Sequence, residues 1–573
     1  MQKARSALSE HFPFMVMVAL LTLAMTFPTF LHVFRTDAFW LPTGGVSDAW
    51  MKFWDAWYAK LIFSGLADFY FTDKLFYPQG LSLVYHNFSI PHVLLFGGLQ
   101  SFMPTSNAFN FIYLLIVASV AAASYIYLLY LFQDKWLSLL GAVIVGLCPL
   151  VVGRSYHPDI ASIAGIPITL YLLHRGIAET RHRLSVSAAI LTGFTSYIGM
   201  YIAVCLGISV GAYFVCFAIA RWRSPSYWMV LIVFASIAGA ISAPRILPML
   251  EDKQGFDEAM SKNFGGERGT DVFESLLNLK HPTLGPIFDR VFQTDLRHLK
   301  GSSYLGYTAL VLIGIGLARR RYRRQMIPWL LLFGTFLILR LGSVLTVNGV
   351  RYENVLLPKY FLNDLVPGVF SAFHAPDHFQ IGALLPLAVL ACYGAMTFIH
   401  AVSARRQKTI ILACIALLSF EYYQPTEPFI RPDEQIAFVD WLLDEPGETR
   451  LINVPMGRYN SKSYLYHQTL HGFPQVEGLA SRTPSSAYDY IKSNHILNRW
   501  RRNRPFACIE ATIDDYVEAV DALLDDGFSH VIYHRTRYKA SEIEASFFYM
   551  QPVYRDEFVS IYRLSDLRAS CPG

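Results

Sequence analysis

The sequence predicts a mainly α-helical, polytopic membrane protein of about eleven spans that ends in a small extracytoplasmic α/β domain. Hydrophobic residues make up 53% of the 573 residues and charged residues only 16%, whereas soluble domains carry about 25% charged residues. Long apolar runs alternate with short basic connectors until about residue 422, and beyond it the apolar residues come in short bursts. These patterns argue against a protein that buries all its apolar residues in a soluble core.

Eleven apolar runs approach the length of a membrane span, because a hydrocarbon core about 30 Å thick needs roughly 20 helical residues. The first run has no small-residue cleavage site after it, so it reads as an uncleaved anchor. The runs lie at residues 13–34, 108–132, 136–153, 160–176, 184–198, 200–221, 226–248, 303–318, 325–342, 378–399 and 408–422.

The distribution of basic residues predicts the orientation of these spans. Lys and Arg cluster after every second run, and cytoplasmic connectors are the ones that attract them. One orientation therefore satisfies every connector, and it places residues 35–107, 154–159, 249–302, 343–377 and everything after 422 outside the cytoplasm. The net charge of +5 lies mostly in the cytoplasmic connectors, which favours membrane lipids as partners and not nucleic acid.

The first outer loop, residues 35–107, contains an amphipathic pattern. Trp50, Phe53, Trp54 and Trp57 recur at helical intervals and are interrupted by charged residues such as Lys52. This pattern predicts a helix that lies in the membrane interface with its tryptophans at headgroup level.

The last 150 residues read as an α/β domain. Residues 451–454, 530–533 and 559–562 have the composition of strands, and residues 435–443 and 514–524 have the periodicity of amphipathic helices. We therefore divide the chain into a transmembrane domain at 1–422 and an extracytoplasmic domain at 423–573. A disulfide between Cys508 and Cys571 is allowed there, and the sequence leaves its formation open.

Asp48 is the strongest catalytic candidate, because it directly follows the first anchor and begins the aromatic helix. Desolvation by the flanking aromatic residues is expected to raise its pKa, which suits a general base. The alternative is that Asp48 only stabilises the helix N-terminus. Asp159, in the short outer connector 154–159, is the second candidate, and capping of the fourth span is its alternative interpretation.

Cationic residues that suit phosphate binding lie in or beside the outer loop at 249–302. Arg245 interrupts an apolar stretch, where charge usually faces a polar cavity. Arg268, Lys280 and His281 are suited to neutralising a phosphate, with solvated surface charge as the alternative.

The sequence has no phosphate-cradling glycine loop, CxxC pair or nucleophile elbow. Proline lies between His374 and His378 and fits the first helical position better than a helix interior, which argues against a shared helix face. His467 and His471 have the same spacing but no fixed carboxylate nearby, so no metal ligand is predicted.

Several short motifs resemble the GT-C superfamily of integral-membrane glycosyltransferases, which use polyprenyl-phosphate sugars. Asp48 followed by the loop tryptophans is similar to the family's acidic residue and aromatic helix. Other segments resemble a poorly characterised bacterial branch of that family: Phe76 to Leu81 through His86, Tyr304 to Tyr307, Leu341-Gly342, and Tyr466 to Gly472 through Ser481-Arg482.

The resemblance implies a hexosyl- or pentosyltransferase of the bacterial cytoplasmic (inner) membrane, with the tail on the periplasmic side. Asp48 is then the general base and Asp159 a second acidic site residue, and the acceptor hydroxyl belongs to a glycan, a lipid or a protein. The branch usually places its aspartate directly after glycine, whereas Val46 and Ser47 intervene here.

The resemblance also bears on the lipid phosphate. An arginine is expected near the start of a late span, where this chain has His374 and His378. We therefore place these two histidines with Arg245, Arg268, Lys280 and His281 as candidates for binding the lipid phosphate. No cofactor is predicted, and the sequence leaves open whether a divalent cation is required.

Two other function classes fit the composition. A lipid or glycolipid transporter (flippase) without chemistry predicts broken helices with paired charges near the bilayer midplane, where the sequence offers little besides Arg245. A non-catalytic membrane scaffold predicts no acidic cavity beside the first outer loop.

Overall fold

The computed structural model describes most of the chain and is mainly helical. The described residues are 2–27, 29–32, 38–39, 48–154, 157–216, 219–251, 269–292, 303–365, 369–370, 373–399, 402–424, 429–430, 436–506, 513–548 and 550–569.

Every predicted apolar run contains a helix. These helices are α1 (Gln2–Met25), α4 (Thr105–Phe132), α5 (Lys135–Gly146), α6 (Pro149–Gly153), α7 (Pro158–Ala161), α8 (Gly165–Ala178), α9 (His182–Ile198), α10 (Met200–Cys216), α11 (Pro225–Glu251), α13 (Tyr307–Ala318), α14 (Arg323–Arg340), α16 (Gln380–Ile399) and α17 (Ala404–Tyr422). Four more helices lie in the predicted outer loops: α2 (Ala49–Phe63), α3 (Ile90–Leu99), α12 (Leu284–Phe292) and α15 (Pro358–Leu365).

Five helical segments of the described chain are long and apolar enough to cross a membrane: Thr105–Phe132, Lys135–Gly153, Pro158–Ala178, Pro225–Glu251 and Pro376–Thr397. The total of eleven spans stays a prediction. In two of the predicted apolar runs the helix is interrupted, and a proline begins a new short helix there. Pro149 opens α6 after a break from α5, and Pro158 opens the short α7 before α8, because proline fits best in the first turn of a helix, where its missing N–H has no intrahelical partner to lose.

Glycines let two of the apolar helices pack closely. Gly394 of α16 lies against α13, and a Cβ at this position would collide with the main-chain carbonyl of Leu312. Gly316 of α13 packs against Gly394 as well, since a Cβ on Gly316 would lie 3.0 Å from the Cα of Gly394. Small residues at such crossings bring two backbones into contact and so stabilise helix pairs inside a membrane.

The first outer loop folds into helices and a hairpin. Helix α2 is followed by strands β2 (Phe71–Thr72) and β3 (Leu81–Ser82), which pair antiparallel, and then by α3. The prediction that α2 lies in the membrane interface is wrong. Trp54 is fully buried and Trp50 is 7% exposed, because the tail covers the helix that the sequence pattern assigned to lipid headgroups.

The tail forms a four-stranded sheet whose strands lie in the order Leu451–Val454, His530–His534, Val559–Arg563 and Tyr554–Arg555. In this sheet, the first two strands are parallel and the other pairs are antiparallel. Its predicted strands lie where the sequence places them. The strands of the chain not yet given are β1 (Ala38–Phe39), β4 (Val344–Val347), β5 (Val350–Leu356), β6 (Phe429–Ile430), β7 (Leu451–Val454), β8 (His530–His534), β9 (Tyr554–Arg555) and β10 (Val559–Arg563). The tail helices are α18 (Ala437–Asp444), α19 (Arg458–His471), α20 (Asp489–Ser493), α21 (His495–Arg501), α22 (Ile513–Asp525), α23 (Ala540–Ile543) and α24 (Leu564–Ala569).

The tail and the first outer loop share one hydrophobic core. The Trp54 indole donates a hydrogen bond to Gln468 Oε1 at 2.7 Å, and Gln468 Nε2 donates to the carbonyl of Lys74 at 2.7 Å. The main chain of Gln475 exchanges two hydrogen bonds with this loop, at Lys74 and Tyr77. The boundary near residue 423 stays a prediction, and across it the two parts pack as one body around α2.

We expect Gly394→Val to destabilise the protein by about 1–3 kcal/mol, because the added side chain forces α13 and α16 apart. The measurement is the thermal unfolding of the detergent-purified protein. Gly314→Val is the matched control, since Gly314 lies on α13 with open space where a Cβ would be. Equal unfolding temperatures for the two variants would contradict the close contact.

Candidate functional site

A cavity of about 270 Å³ lies where α2, the connector before α7, the start of α16 and the tail meet. Its lining is mostly polar and charged. The lining residues are Asp48, Met51, Asn87, Arg154, His157, Asp159, Ile160, Tyr201, His374, Ala375, Asp377, His378, Arg458 and Ser481.

Asp48 stands at the edge of this cavity, just before the first turn of α2. Its side chain is 52% exposed and makes no capping hydrogen bond. Instead, its Oδ1 lies 2.7 Å from Nζ of Lys462. Enclosure by the protein alone would raise the pKa of Asp48, but the charges of Lys462 and His157 outweigh it and lower the pKa. The expectation of a raised pKa is therefore wrong, and Asp48 is ionised at neutral pH.

Asp159 lies deeper, with only 2% of its surface exposed, in the first turn of α7. Its Oδ1 is 3.2 Å from Nζ of Lys52 and 3.8 Å from Nδ1 of His157. Gly199 packs against the main chain of Asp159 so closely that a Cβ would collide with its carbonyl oxygen. The ion pair with Lys52 therefore fixes the carboxylate of Asp159, and the contact with Gly199 fixes its backbone.

Lys52 connects the two carboxylates Asp159 and Asp55 inside the protein. Its Nζ lies 3.3 Å from Asp55 Oδ2 and also donates to the carbonyl of Asn87. Burial alone would lower the pKa of Lys52, but the two carboxylates outweigh it and raise the pKa. A buried ammonium needs such partners, because an unpaired buried charge is strongly unfavourable.

His86 extends this network to the tail. The backbone N–H of Ser481 donates to His86 Nδ1 at 3.1 Å, so Nδ1 is unprotonated and the ring proton sits on Nε2. Nε2 then donates to Asp55 Oδ1 at 2.7 Å. A continuous chain of polar contacts therefore runs from Asp159 through Lys52, Asp55 and His86 to the tail.

Arg154 forms the cationic part of the cavity. Its Nη2 lies 3.3 Å from Asp377 Oδ2, and its Nη1 lies 3.3 Å from His378 Nε2. Because a guanidinium only donates, His378 Nε2 accepts, which puts the ring proton on Nδ1. Enclosure by the protein and, to a smaller extent, the positive charge of Arg154 lower the pKa of Lys280.

The structure brings four of the predicted site residues together. Asp48, Asp159, His374 and His378 all line the cavity, and the charge of Arg154 acts on Lys280. Arg268 falls outside the described residues, as do Cys508 and Cys571.

Arg245 and His281 do not line this cavity. Arg245 donates to the carbonyls of Val84 and His86 at 2.8 and 3.3 Å and lies over the Tyr70 ring. His281 is bound through both ring nitrogens. Its Nε2 donates to the carbonyl of Phe420 at 2.7 Å, while Nδ1 accepts two backbone N–H groups at the start of α12.

Sequence reasoning missed most residues that support the acids. Lys52 and Asp55 appeared only as interruptions of the aromatic face of α2, and their spacing of three was the available signal. His86 lies in a segment noted only for its family resemblance. Nothing local marked Arg154 as the residue that meets Asp377, 223 positions further along. Among the described residues, no group of three His, Cys, Asp or Glu side chains is placed to hold a metal ion.

The fold is similar to those of solved glycosyltransferases. The arabinofuranosyltransferase AftD from Mycobacteria has a TM-score of 0.56 at 15% sequence identity, over 96% of this chain and 40% of AftD. The oligosaccharyltransferase of Archaeoglobus fulgidus, in complex with Zn and sulfate, has a TM-score of 0.52 at 11% identity, over 91% of this chain and 67% of that one. This chain thus spans well under half the length of AftD.

Within this fold class, the chain belongs to the family described as "Domain of unknown function (DUF6311)", whose model matches residues 12–420. A search of curated proteins by sequence returns no match.

We expect Lys52→Met to destabilise the protein by about 3–5 kcal/mol, because it leaves Asp55 and Asp159 as buried carboxylates without their cation. The readout is thermal unfolding of the purified protein. Lys60→Met is the matched control, since Lys60 is an exposed lysine on the same helix. Adding Asp159→Asn to Lys52→Met is expected to restore part of the loss. An unfolding temperature of Lys52→Met equal to that of Lys60→Met would contradict the network.

Proposed function

We propose that this protein is a membrane glycosyltransferase that moves a sugar from a polyprenyl-phosphate donor to an acceptor hydroxyl. One observation carries the proposal: two carboxylates, Asp48 and Asp159, and the cationic Arg154 line the same cavity in a protein with the GT-C fold. Transfer from a lipid phosphate needs both a base for the acceptor and a cation for the departing phosphate. AftD and the oligosaccharyltransferase also transfer glycosyl groups.

In the proposed reaction, Asp48 accepts the proton of the acceptor hydroxyl. The hydroxyl oxygen bonds to the anomeric carbon, and the bond from that carbon to the lipid-phosphate oxygen breaks. The phosphate leaves with the electron pair of that bond. Asp48 suits the first step because it is ionised and partly exposed at the cavity edge, where a hydrophilic acceptor can arrive from water.

The departing phosphate gains negative charge, and Arg154 is the residue best placed to receive it. Asp377 and His378 orient its guanidinium, while Lys280 adds a second positive charge nearby. Of the phosphate ligands predicted from sequence, His374 and His378 fit this place in the cavity. Arg245 fits a positioning role, because it fixes the main chain on both sides of Tyr85. Arg268 stays a prediction.

Asp159 is proposed as the second acidic residue of the site. Because Lys52 and Gly199 fix it, it offers a rigid acceptor for hydroxyl groups of the bound sugar. The apolar helices beside the cavity supply surface for the polyprenyl tail.

We further propose that the protein lies in a bacterial inner membrane with its tail and cavity on the periplasmic side. The transporter alternative needs paired charges in broken helices at mid-span. The described charges of this cavity lie instead at or next to helix ends, namely those of α2, α6, α7, α16 and α19. A scaffold has no need of two acids that line one cavity.

Asp48→Asn is expected to lower the rate of transfer by at least about 10²-fold, because the amide cannot accept the acceptor proton. The assay follows release of undecaprenyl phosphate from undecaprenyl-phosphate-linked hexoses and pentoses by mass spectrometry. Asp489→Asn is a matched control, since Asp489 forms a surface pair with Lys492 at the same 2.7 Å. A full rate in Asp48→Asn would refute the base assignment.

Lys462→Met is expected to move the acidic limb of the pH–rate profile to higher pH. Lys462 lowers the pKa of Asp48, so its removal raises that pKa, and the ionised base then appears only at a higher pH. Well above the limb, the rate should approach that of the wild type. Lys492→Met serves as the control, and an unshifted limb in Lys462→Met would show that Asp48 does not set the profile.

A further inference from the structure

Two tyrosines of the tail stand exposed as a pair. Tyr459 is 54% and Tyr538 60% exposed, and their ring centroids are 5.4 Å apart at an interplanar angle of 66°. Other tyrosines of the tail, such as Tyr464 and Tyr516, are buried. Paired aromatic rings that face water are uncommon away from binding surfaces, because each exposes a large apolar face.

The pair lies next to the cavity. Tyr459, Lys462 and Tyr466 follow one another at helical spacings of three and four, so they share a face of α19. Lys462 binds Asp48, and Tyr466 packs on Trp50 with ring centroids 4.8 Å apart. Tyr459 therefore continues this face about one helical turn beyond the partner of Asp48, toward water.

The pair is held in place before any ligand arrives. Asn460 is buried, and its Nδ2 donates to the carbonyl of Tyr538 at 3.1 Å. Lys539, in a left-handed turn at φ +66°, places its ammonium 5.7 Å from the centroid of the Tyr538 ring and 3.4 Å from Glu542. A preformed surface loses little conformational entropy on binding.

We propose that Tyr459 and Tyr538 form a saccharide-binding subsite for the acceptor. A sugar ring has an apolar face of C–H groups and a rim of hydroxyls, which matches tyrosine rings bordered by the charged Lys539 and Glu542. A lipid chain would not match this charged border. The inference rests on the proposed transfer reaction and names its acceptor as a glycan, whose reacting end lies at Asp48 while a neighbouring unit stacks on the pair.

The first test is direct binding. The full-length protein in detergent is applied to an array of O-antigen repeats and of glucan and mannan hexamers. We expect retention on at least one of these glycans, with a loss of about tenfold in affinity for Tyr459→Ala/Tyr538→Ala. Tyr352→Ala/Tyr360→Ala is the matched control, because these exposed tyrosines lie on β5 and α15. The proposed subsite is overturned if no glycan on the array retains the protein, or if the two double variants bind the glycans equally well.

The second test separates this subsite from the transfer reaction. With a retained glycan as acceptor, the Tyr459→Ala/Tyr538→Ala variant should raise the acceptor KM about tenfold, with a much smaller change in kcat. A raised KM for the lipid donor instead would assign the pair to the lipid and overturn the inference. Glycan retention without any Asp48-dependent transfer would refute the proposed function alone, whereas transfer without retention would refute the subsite alone.

Discussion

The buried ammonium of Lys52 is the constraint around which the site is arranged. It has Asp159 on one side and Asp55 on the other, and each of these carboxylates is further held by Gly199 or by His86. A buried cation is tolerated only with close, well-aligned partners, so α2 and α7, which supply them, have little freedom to move apart. The position of the cavity wall thus follows from one electrostatic requirement.

The parts of the structure that depend on local pattern were predictable from sequence. The apolar runs of the sequence located the long apolar helices, and short segments rich in strand-forming residues located β7, β8 and β10. The acids Asp48 and Asp159 were found because each follows an apolar run at an expected outer connector. The family resemblance then pointed to the same two residues, and the cavity contains both.

What sequence could not supply was the set of distant partners. The aromatic residues around Asp48 suggested a raised pKa, yet Lys462 from the tail reverses that direction. The tryptophans of α2 suggested a membrane interface, yet the tail buries them. His86 and Ser481 meet across 395 positions, and no local periodicity reports such a contact. The sequence therefore misled where the tail, far along the chain, surrounds the residue in question, as it does for Asp48 and for the tryptophans of α2.

The core shared by the first outer loop and the tail has a consequence for biosynthesis. Trp54 finds its hydrogen-bond partner 414 residues later. At about 5–20 residues per second, the ribosome needs on the order of tens of seconds to make that partner. During this interval the aromatic side of α2 lacks the cover that the tail later provides. Such exposed apolar surface makes a nascent chain prone to aggregation until synthesis ends.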